Sequence, residues 1–170
     1  MTTATKLVSE FGRKGHPLGK SIYRDEVPSL VSQLRHRLGM SEAELDLTPA
    51  SLKRLEDKLF ELPHDKRIEV LSEDEIVQFV REIAAYIGEV LLVHAEGRWE
   101  PLGTLLSTKI VFEGNIKITK EGHKRTVPSM AFSLGNIGAA ALDMISLGRR
   151  PLFYRDYLSA KKKTIKEELK

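Results

Sequence analysis

The chain has 170 residues, of which 41% are hydrophobic and 30% are charged, a composition typical of a globular protein rather than a disordered or fibrous one. It contains no cysteine, which excludes disulfides, thiolate metal sites and cysteine catalysis. The first thirty residues lack an apolar run, and no apolar stretch approaches the roughly 20 residues of a membrane span. We therefore predict a cytoplasmic protein without a membrane partner.

The net charge of +3 is unevenly distributed along the chain. Residues 1–40 carry 7 basic and 3 acidic side chains, residues 41–80 carry 5 and 11, and residues 121–170 carry 10 and 5. Two interpretations stay open: the basic ends bind an anionic partner, or they lie beside the acidic middle of the same chain.

The composition predicts three segments. Residues 1–25 show little periodicity and combine glycines with basic residues, which predicts a flexible basic arm. Residues 26–160 are expected to form a single α+β domain. Residues 161–170 are expected to form a basic tail.

Three amphipathic helices are predicted in the first half of the domain. Apolar residues recur at helical spacing through residues 27–38. Thr48 is the predicted N-cap of a second helix. Ser72 and Glu75 form a capping box that begins a third helix, which we expect to end at Gly88.

From residue 89 onward the pattern predicts a small antiparallel β-meander. Short strands are expected at residues 89–94, 98–100, 105–113, 116–119 and 126–127, with turns at 96–97, 114–115 and 121–122. Helices are expected to resume after Pro128 and after Pro151. The order of N-terminal helices, meander and C-terminal helices predicts an α+β fold.

Three features have a chemical interpretation beside a structural one. Residues 15–21 end in the Gly-Lys-Ser of a phosphate-binding loop, but they hold three rather than four residues between the glycines and follow no buried strand. The five histidines show no metal-site spacing. Glu89 is a candidate general base, although local pairing is the more usual role of such a residue. We predict no cofactor, no metal ion and no catalytic residue.

Basic residues near both ends are the candidates for binding an anion, nucleic acid included, because lysine and arginine neutralise phosphates. They are Arg13, Lys14, Lys20, Lys161, Lys162 and Lys163. The alternative interpretation is a solvated basic surface, since no zinc-finger or RNA-recognition signature is present.

Acidic residues before and at the start of the third helix are the candidates for binding a partner protein. They are Glu69, Glu73, Asp74 and Glu75. Negative charge stabilises the start of a helix, and it also suits a basic protein surface.

One segment resembles a recurring bacterial pattern. The sequence IAAYIGEVLL at residues 83–92 precedes GRWE at residues 97–100, as in domains where an A-Y-aliphatic-G-E helix end leads to a strand and a G-x-W turn. A later proline, here Pro128, and an aromatic-rich segment at residues 153–157 complete the resemblance, which covers residues 49–160.

This resemblance implies a small bacterial α+β domain, and some such domains are similar to the immunity proteins encoded beside polymorphic toxins. Its motif residues are Tyr86, Gly88, Glu89 and Trp99, for which we expect structural roles as helix cap, core residue and local hydrogen-bond partner.

Together these observations predict a non-catalytic bacterial protein-binding domain of immunity or regulatory type, which acts by covering a surface of its partner. The alternative is a nucleic-acid-associated accessory protein that uses its basic ends. A third interpretation is an enzyme that uses Glu89.

Overall fold

The computed structural model describes residues 3–94, 97–112, 116–118, 121–122, 124–126 and 130–164. In these residues the chain forms helices and short strands. The helices are α1 (Ala4–Arg13), α2 (Val27–Leu38), α3 (Pro49–Phe60), α4 (Glu73–His94), α5 (Leu134–Ser146) and α6 (Phe153–Thr164). The strands are β1 (Gly97–Glu100), β2 (Lys109–Phe112), β3 (Ile116–Ile118), β4 (Lys124–Thr126) and β5 (Met130–Ser133).

The strands form two small antiparallel sheets. One has the order β1-β2-β5, with Trp99 opposite Ile110 and Ile110 opposite Phe132. The other is the β3–β4 pair. With helices before and after a small antiparallel sheet, the predicted α+β fold is confirmed. The strands do not all pair in chain order. Strand β5 pairs with β2, and β3 and β4 form a hairpin of their own.

Helix α4 is the centre of the fold, because α2 and α5 both pack along it. Its residues from Ile76 to Leu91 are mostly buried, and Phe79 and Tyr86 are among the largest fully buried side chains. Burial of one such side chain contributes about 1.5–3 kcal/mol to the hydrophobic stabilisation. None of the described helices combines the length and apolar character needed to cross a membrane.

The predicted end of this helix at Gly88, and the predicted strand at residues 89–94, are wrong. Helix α4 continues to His94, and the apolar run continues its buried side through Val90 and Leu91. A Cβ atom at residue 88 would lie 2.5 Å from Cζ2 of Trp99. Gly88 therefore marks a close approach between α4 and β1 rather than a helix end.

The prediction of a flexible arm at residues 1–25 is also wrong, because this segment contains helix α1. Leu7, Val8 and Phe11 are buried in the same core as α2 and α4, so no domain boundary lies near residue 26. Asp143 of α5 caps this helix by accepting from the backbone N–H groups of Ala4 at 2.6 Å and Thr5 at 3.2 Å. The basic side chains lie on the exposed face of α1, so the composition of the segment did not reveal the helix.

The chain after α1 is held against the core as well. Gly19 packs against the backbone of Phe11, where a Cβ atom would lie 2.5 Å from the carbonyl carbon. Arg81 of α4, whose side chain is 5% exposed, donates to the carbonyl oxygens of Leu18 at 3.3 Å and Lys20 at 2.6 Å. Burial lowers the pKa of Arg81, while the adjacent Glu26 carboxylate opposes that shift.

Some of the other predicted boundaries are confirmed, and others differ or lie outside the described residues. The N-caps of α3 and α4 and the limits of α2 are confirmed. The helix expected after Pro128 begins at Leu134, because residues 130–133 form β5. The predicted turn at 114–115 and residues Val127 and Pro128 lie outside the described residues. The backbone of Lys161, Lys162 and Lys163 belongs to α6, whereas the rest of the predicted basic tail, residues 165–170, lies outside the described residues.

Candidate protein-binding surface

The four predicted acidic residues occupy one exposed region at the start of α4. Glu69 lies in the preceding turn, and Glu73, Asp74 and Glu75 form the first turn of the helix. All four are exposed, and the side chain of Asp74 is 68% accessible. We call Glu69, Glu73, Asp74 and Glu75 the acidic surface.

Hydrogen bonds and buried side chains hold the start of α4, which carries Glu73, Asp74 and Glu75. The Ser72 hydroxyl accepts from the Glu75 N–H at 3.2 Å, and the Glu75 carboxylate accepts from the Ser72 N–H at 2.9 Å. This is the predicted capping box, and it assigns Glu75 a structural role. Immediately after it, Ile76 and Val77 are buried in the core. The start of α4 is therefore fixed before any partner binds.

The four carboxylates differ in the partners that they have within the chain. His16 Nε2 lies 3.7 Å from the Asp74 carboxylate. In contrast, Glu69 and Glu73 make no hydrogen bond or ion pair with any described residue. The negative charge of these two side chains is therefore available to another molecule.

The contact between His16 and Asp74 also bears on the uneven charge distribution. It places the basic segment around residues 13–20 next to the acidic surface. Of the two interpretations of the charge asymmetry, proximity of a basic end to the acidic middle is therefore realised at this point. Arg13, Lys14 and Lys20 are themselves exposed, whereas the side chains of Lys161, Lys162 and Lys163 lie outside the described residues.

The loop that resembles a phosphate-binding motif has a different structure. Pro17–Gly19 form one turn of 3-10 helix, in which His16 Nδ1 accepts from the Leu18 N–H at 3.1 Å. Lys20 then forms an isolated β-bridge with Thr104. The Gly-Lys-Ser sequence does not open a long helix, which a nucleotide phosphate site requires.

The motif residues on α4 and β1 converge on one side of α4. Tyr86 is fully buried, and its hydroxyl accepts from the Leu47 N–H at 3.1 Å and lies 2.5 Å from Ser51 Oγ. The Trp99 indole packs on Gly88 and donates to Glu89 Oε1 at 3.3 Å. The structure therefore buries Tyr86 and Trp99 and pairs Glu89 with Trp99, whereas Gly88 lies within α4 and does not cap it.

A buried ion pair is the feature of this region that the sequence patterns missed. Glu82, with 1% of its side chain exposed, accepts from Arg37 Nε at 2.8 Å and Nη2 at 2.9 Å. The hydrogen bond to Glu82 raises the pKa of Arg37, and the guanidinium also lies 4.8 Å from the centre of the Phe79 ring. The signal was available, since Arg81 and Glu82 interrupt an otherwise apolar helix and so had to find buried partners.

Within the residues that the structure describes, no group of three or more histidine, aspartate or glutamate side chains is placed to hold a metal ion.

Comparison of the chain with protein-family models, with curated proteins and with solved structures found no match.

Proposed function

We propose that this chain is a non-catalytic protein-binding domain whose acidic surface covers a basic surface of another protein. The observation that carries the proposal is the pair Glu69 and Glu73, which are exposed and have no partner among the described residues. Glu69 lies outside α4, so stabilisation of the helix start does not account for its charge.

The fixed start of α4 favours binding by this surface. A surface that is already ordered loses little conformational entropy on association, so more of the interaction energy appears as affinity. Exposed charges of one sign also accelerate association with an oppositely charged partner and make the affinity depend on salt. The segment resembles small bacterial domains of which some are similar to immunity proteins, and this gives the proposal its most specific form, in which the covered surface is the active site of a toxin.

The test compares two variants with the same change in net charge. In the first, Glu69, Glu73 and Asp74 become lysine, and Glu75 is retained because it caps α4. In the second, three exposed acidic residues elsewhere, Glu42, Glu61 and Glu121, become lysine. Each is immobilised and used to capture protein from the native host, with and without nuclease treatment, followed by mass spectrometry.

We expect one stoichiometric protein to be retained by the wild type and by the second variant, and lost by the first. Its retention should weaken as the salt concentration rises. Equal retention by both variants would remove the acidic surface from the interface. Loss of all retained proteins on nuclease treatment would contradict protein binding altogether.

The alternative function, association with nucleic acid, is favoured by one observation. The packing of Gly19 on Phe11 brings Lys20 close to Arg13 and Lys14, and all three side chains are exposed. Replacing the three with glutamine should then lower the affinity for an oligonucleotide and reduce the slope of log K against log salt by about 0.9 for each lost phosphate contact. An unchanged slope would contradict this alternative.

A further inference from the structure

A cleft beside α2, to which Glu89 of α4 also contributes, is lined by both charged and apolar side chains. Its volume is about 370 Å³, within the range of small-molecule sites. Arg24, Arg35 and Glu89 supply its charges, and Pro28 and Leu47 supply accessible apolar surface above the buried Val27 and Val31. It shares no residue with the acidic surface.

Two guanidinium groups face this cleft with donors to spare. Arg35 is held in place, because its Nε and Nη2 donate to the Leu45 carbonyl oxygen at 3.1 and 2.5 Å. Its Nη1 has no partner among the described residues, and neither has the guanidinium of Arg24. Guanidinium groups are matched in geometry and charge to a carboxylate.

The third charge in the cleft is of opposite sign. One oxygen of Glu89 accepts from the Trp99 indole N–H at 3.3 Å, and the other has no partner among the described residues. No ion pair joins Glu89 to Arg24 or Arg35, although all three line the same cleft. The cleft therefore offers separated positive and negative groups.

The rim of the cleft is held in an unusual backbone conformation. Leu47 has φ = 64°, the one non-glycine residue with positive φ among the described residues. This conformation is unfavourable for a leucine, and it is fixed by the hydrogen bond from the Leu47 N–H to the buried Tyr86 hydroxyl. Such residues concentrate at binding sites, where strain is accepted in order to place a side chain.

We propose that this cleft binds a free aliphatic α-amino acid. Its carboxylate would contact Arg24 and Arg35, its ammonium would contact Glu89, and its side chain would contact Pro28 and Leu47. A free aliphatic amino acid has a carboxylate, an ammonium and an apolar side chain, which complement the arginines, Glu89 and the apolar lining. An acidic side chain of a partner protein supplies only a carboxylate. The proposal goes beyond protein binding by the acidic surface and does not depend on it.

The chain carries its own reporter of this binding. Trp99 is the sole tryptophan of the sequence, and its indole donates to Glu89. Occupation of the cleft should therefore change the tryptophan fluorescence. The full chain is titrated with L-leucine, with N-acetyl-L-leucine, which lacks the ammonium, and with L-leucinamide, which lacks the carboxylate, each to about 10 mM with calorimetry in parallel.

L-leucine should bind saturably with one site per chain, and each analogue at least about tenfold more weakly, because a charge-assisted hydrogen bond is lost. Arg24→Gln should weaken L-leucine binding about tenfold. Arg149→Gln, the same change at an exposed arginine outside the cleft, should leave it unchanged. Both residues are exposed, so neither variant is expected to unfold.

The proposal would be overturned by absence of saturable L-leucine binding, by equal binding of all three compounds, or by equal effects of the two arginine variants. Binding of N-acetyl-L-leucine as tightly as L-leucine would also overturn it, because the site would then recognise a carboxylate without an ammonium, as at the C-terminus of a peptide. These outcomes are independent of the charge-reversal experiment on the acidic surface.

Discussion

Gly88 lies against the indole ring of Trp99, so closely that a Cβ atom at residue 88 would stand 2.5 Å from Cζ2 of that ring. Gly88→Ala therefore forces either the ring or α4 to move. Overpacking of this kind costs about 1–3 kcal/mol, and the better helix propensity of alanine offsets about 1 kcal/mol of it. We expect Gly88→Ala to lower the free energy of unfolding by up to about 2 kcal/mol in a urea titration.

A double variant separates this clash from other effects of the substitution. In a Trp99→Leu background the ring atoms are gone, so Gly88→Ala should cost much less or even stabilise the protein. An equal loss in both backgrounds would show that the substitution does not act through Trp99, but through α4 itself or through Leu134, whose Cδ1 would lie 2.8 Å from the added Cβ atom.

The same pair of residues explains how far the sequence could predict the fold. The periodicity of α2, α3 and the first turns of α4 was sufficient, because those helices expose a polar side and bury an apolar one. The end of α4 was not predictable in that way. Val90 and Leu91 are buried, whereas Val93 is 57% exposed. Apolar residues therefore lie on both the buried and the exposed side of this last part of α4, and the run lacks the alternation that identifies an amphipathic helix.

Helix α1 shows the opposite error. Its apolar residues Ala4, Leu7, Val8 and Phe11 do follow helical spacing, but the glycines and basic residues after them suggested a mobile arm. What holds α1 in place is a cap from Asp143, more than 130 positions away in the sequence. A contact of that range cannot be read from local composition.

The sequence likewise predicted only some features of the candidate site. The exposure of the acidic surface and the burial of Tyr86 and Trp99 were predictable, because each depends on local pattern. The buried pair Arg37–Glu82 and the cleft beside α2 depend on how α2 packs on α4, and no single segment encodes that geometry.

The Arg37–Glu82 pair supports a second prediction. Arg37→Met leaves the Glu82 carboxylate buried without its partner, which typically costs about 3–5 kcal/mol. We expect a loss of that size in the free energy of unfolding from urea titration. In the double variant Arg37→Met, Glu82→Leu, apolar side chains replace both charges, and most of the loss should be recovered.

The exposed pair Arg54–Asp46 is the matched control, since both side chains are about 40% accessible. Arg54→Met should cost less than about 1 kcal/mol, because water screens an exposed pair. A similar cost for the two arginine substitutions would mean that Arg37 contributes through its hydrophobic stem and not through its pairing with Glu82.

The cap that Asp143 places on α1 supports a third prediction. Asp143→Ala removes the acceptor for the N–H groups of Ala4 and Thr5 and should destabilise the protein by about 1–2 kcal/mol. Hydrogen exchange should accelerate mainly at the amides of α1. Asn136→Ala, at an exposed position of the same helix, should leave those amides unchanged. Uniform acceleration over all helices would contradict a local role for Asp143.

The hydroxyl of Tyr86 is the centre of a buried network whose polarity follows from its partners. Ser51 Oγ donates its single hydrogen to the Thr48 carbonyl oxygen at 2.6 Å, so the Tyr86 hydroxyl is the donor toward Ser51. At the same time it accepts from the Leu47 N–H. Tyr86→Phe therefore leaves that amide without its partner, which should cost about 1–3 kcal/mol at neutral pH.

Burial raises the pKa of Tyr86 above its ordinary value, which makes stability depend on alkaline pH. In the unfolded chain the phenol loses its proton near pH 10, while in the folded protein it keeps the proton to higher pH. The folded state then binds more protons, so the free energy of unfolding should fall as the pH rises above about 10. In Tyr86→Phe the decline between about pH 9 and 11 should be shallower, as measured by urea titrations across that range.

Tyr157, whose pKa burial also raises, accounts for part of the remaining slope. Tyr23→Phe, at a side chain that is 54% exposed, should keep the wild-type slope. Equal slopes for the Tyr86 and Tyr23 variants would show that ionisation of Tyr86 does not limit stability at high pH.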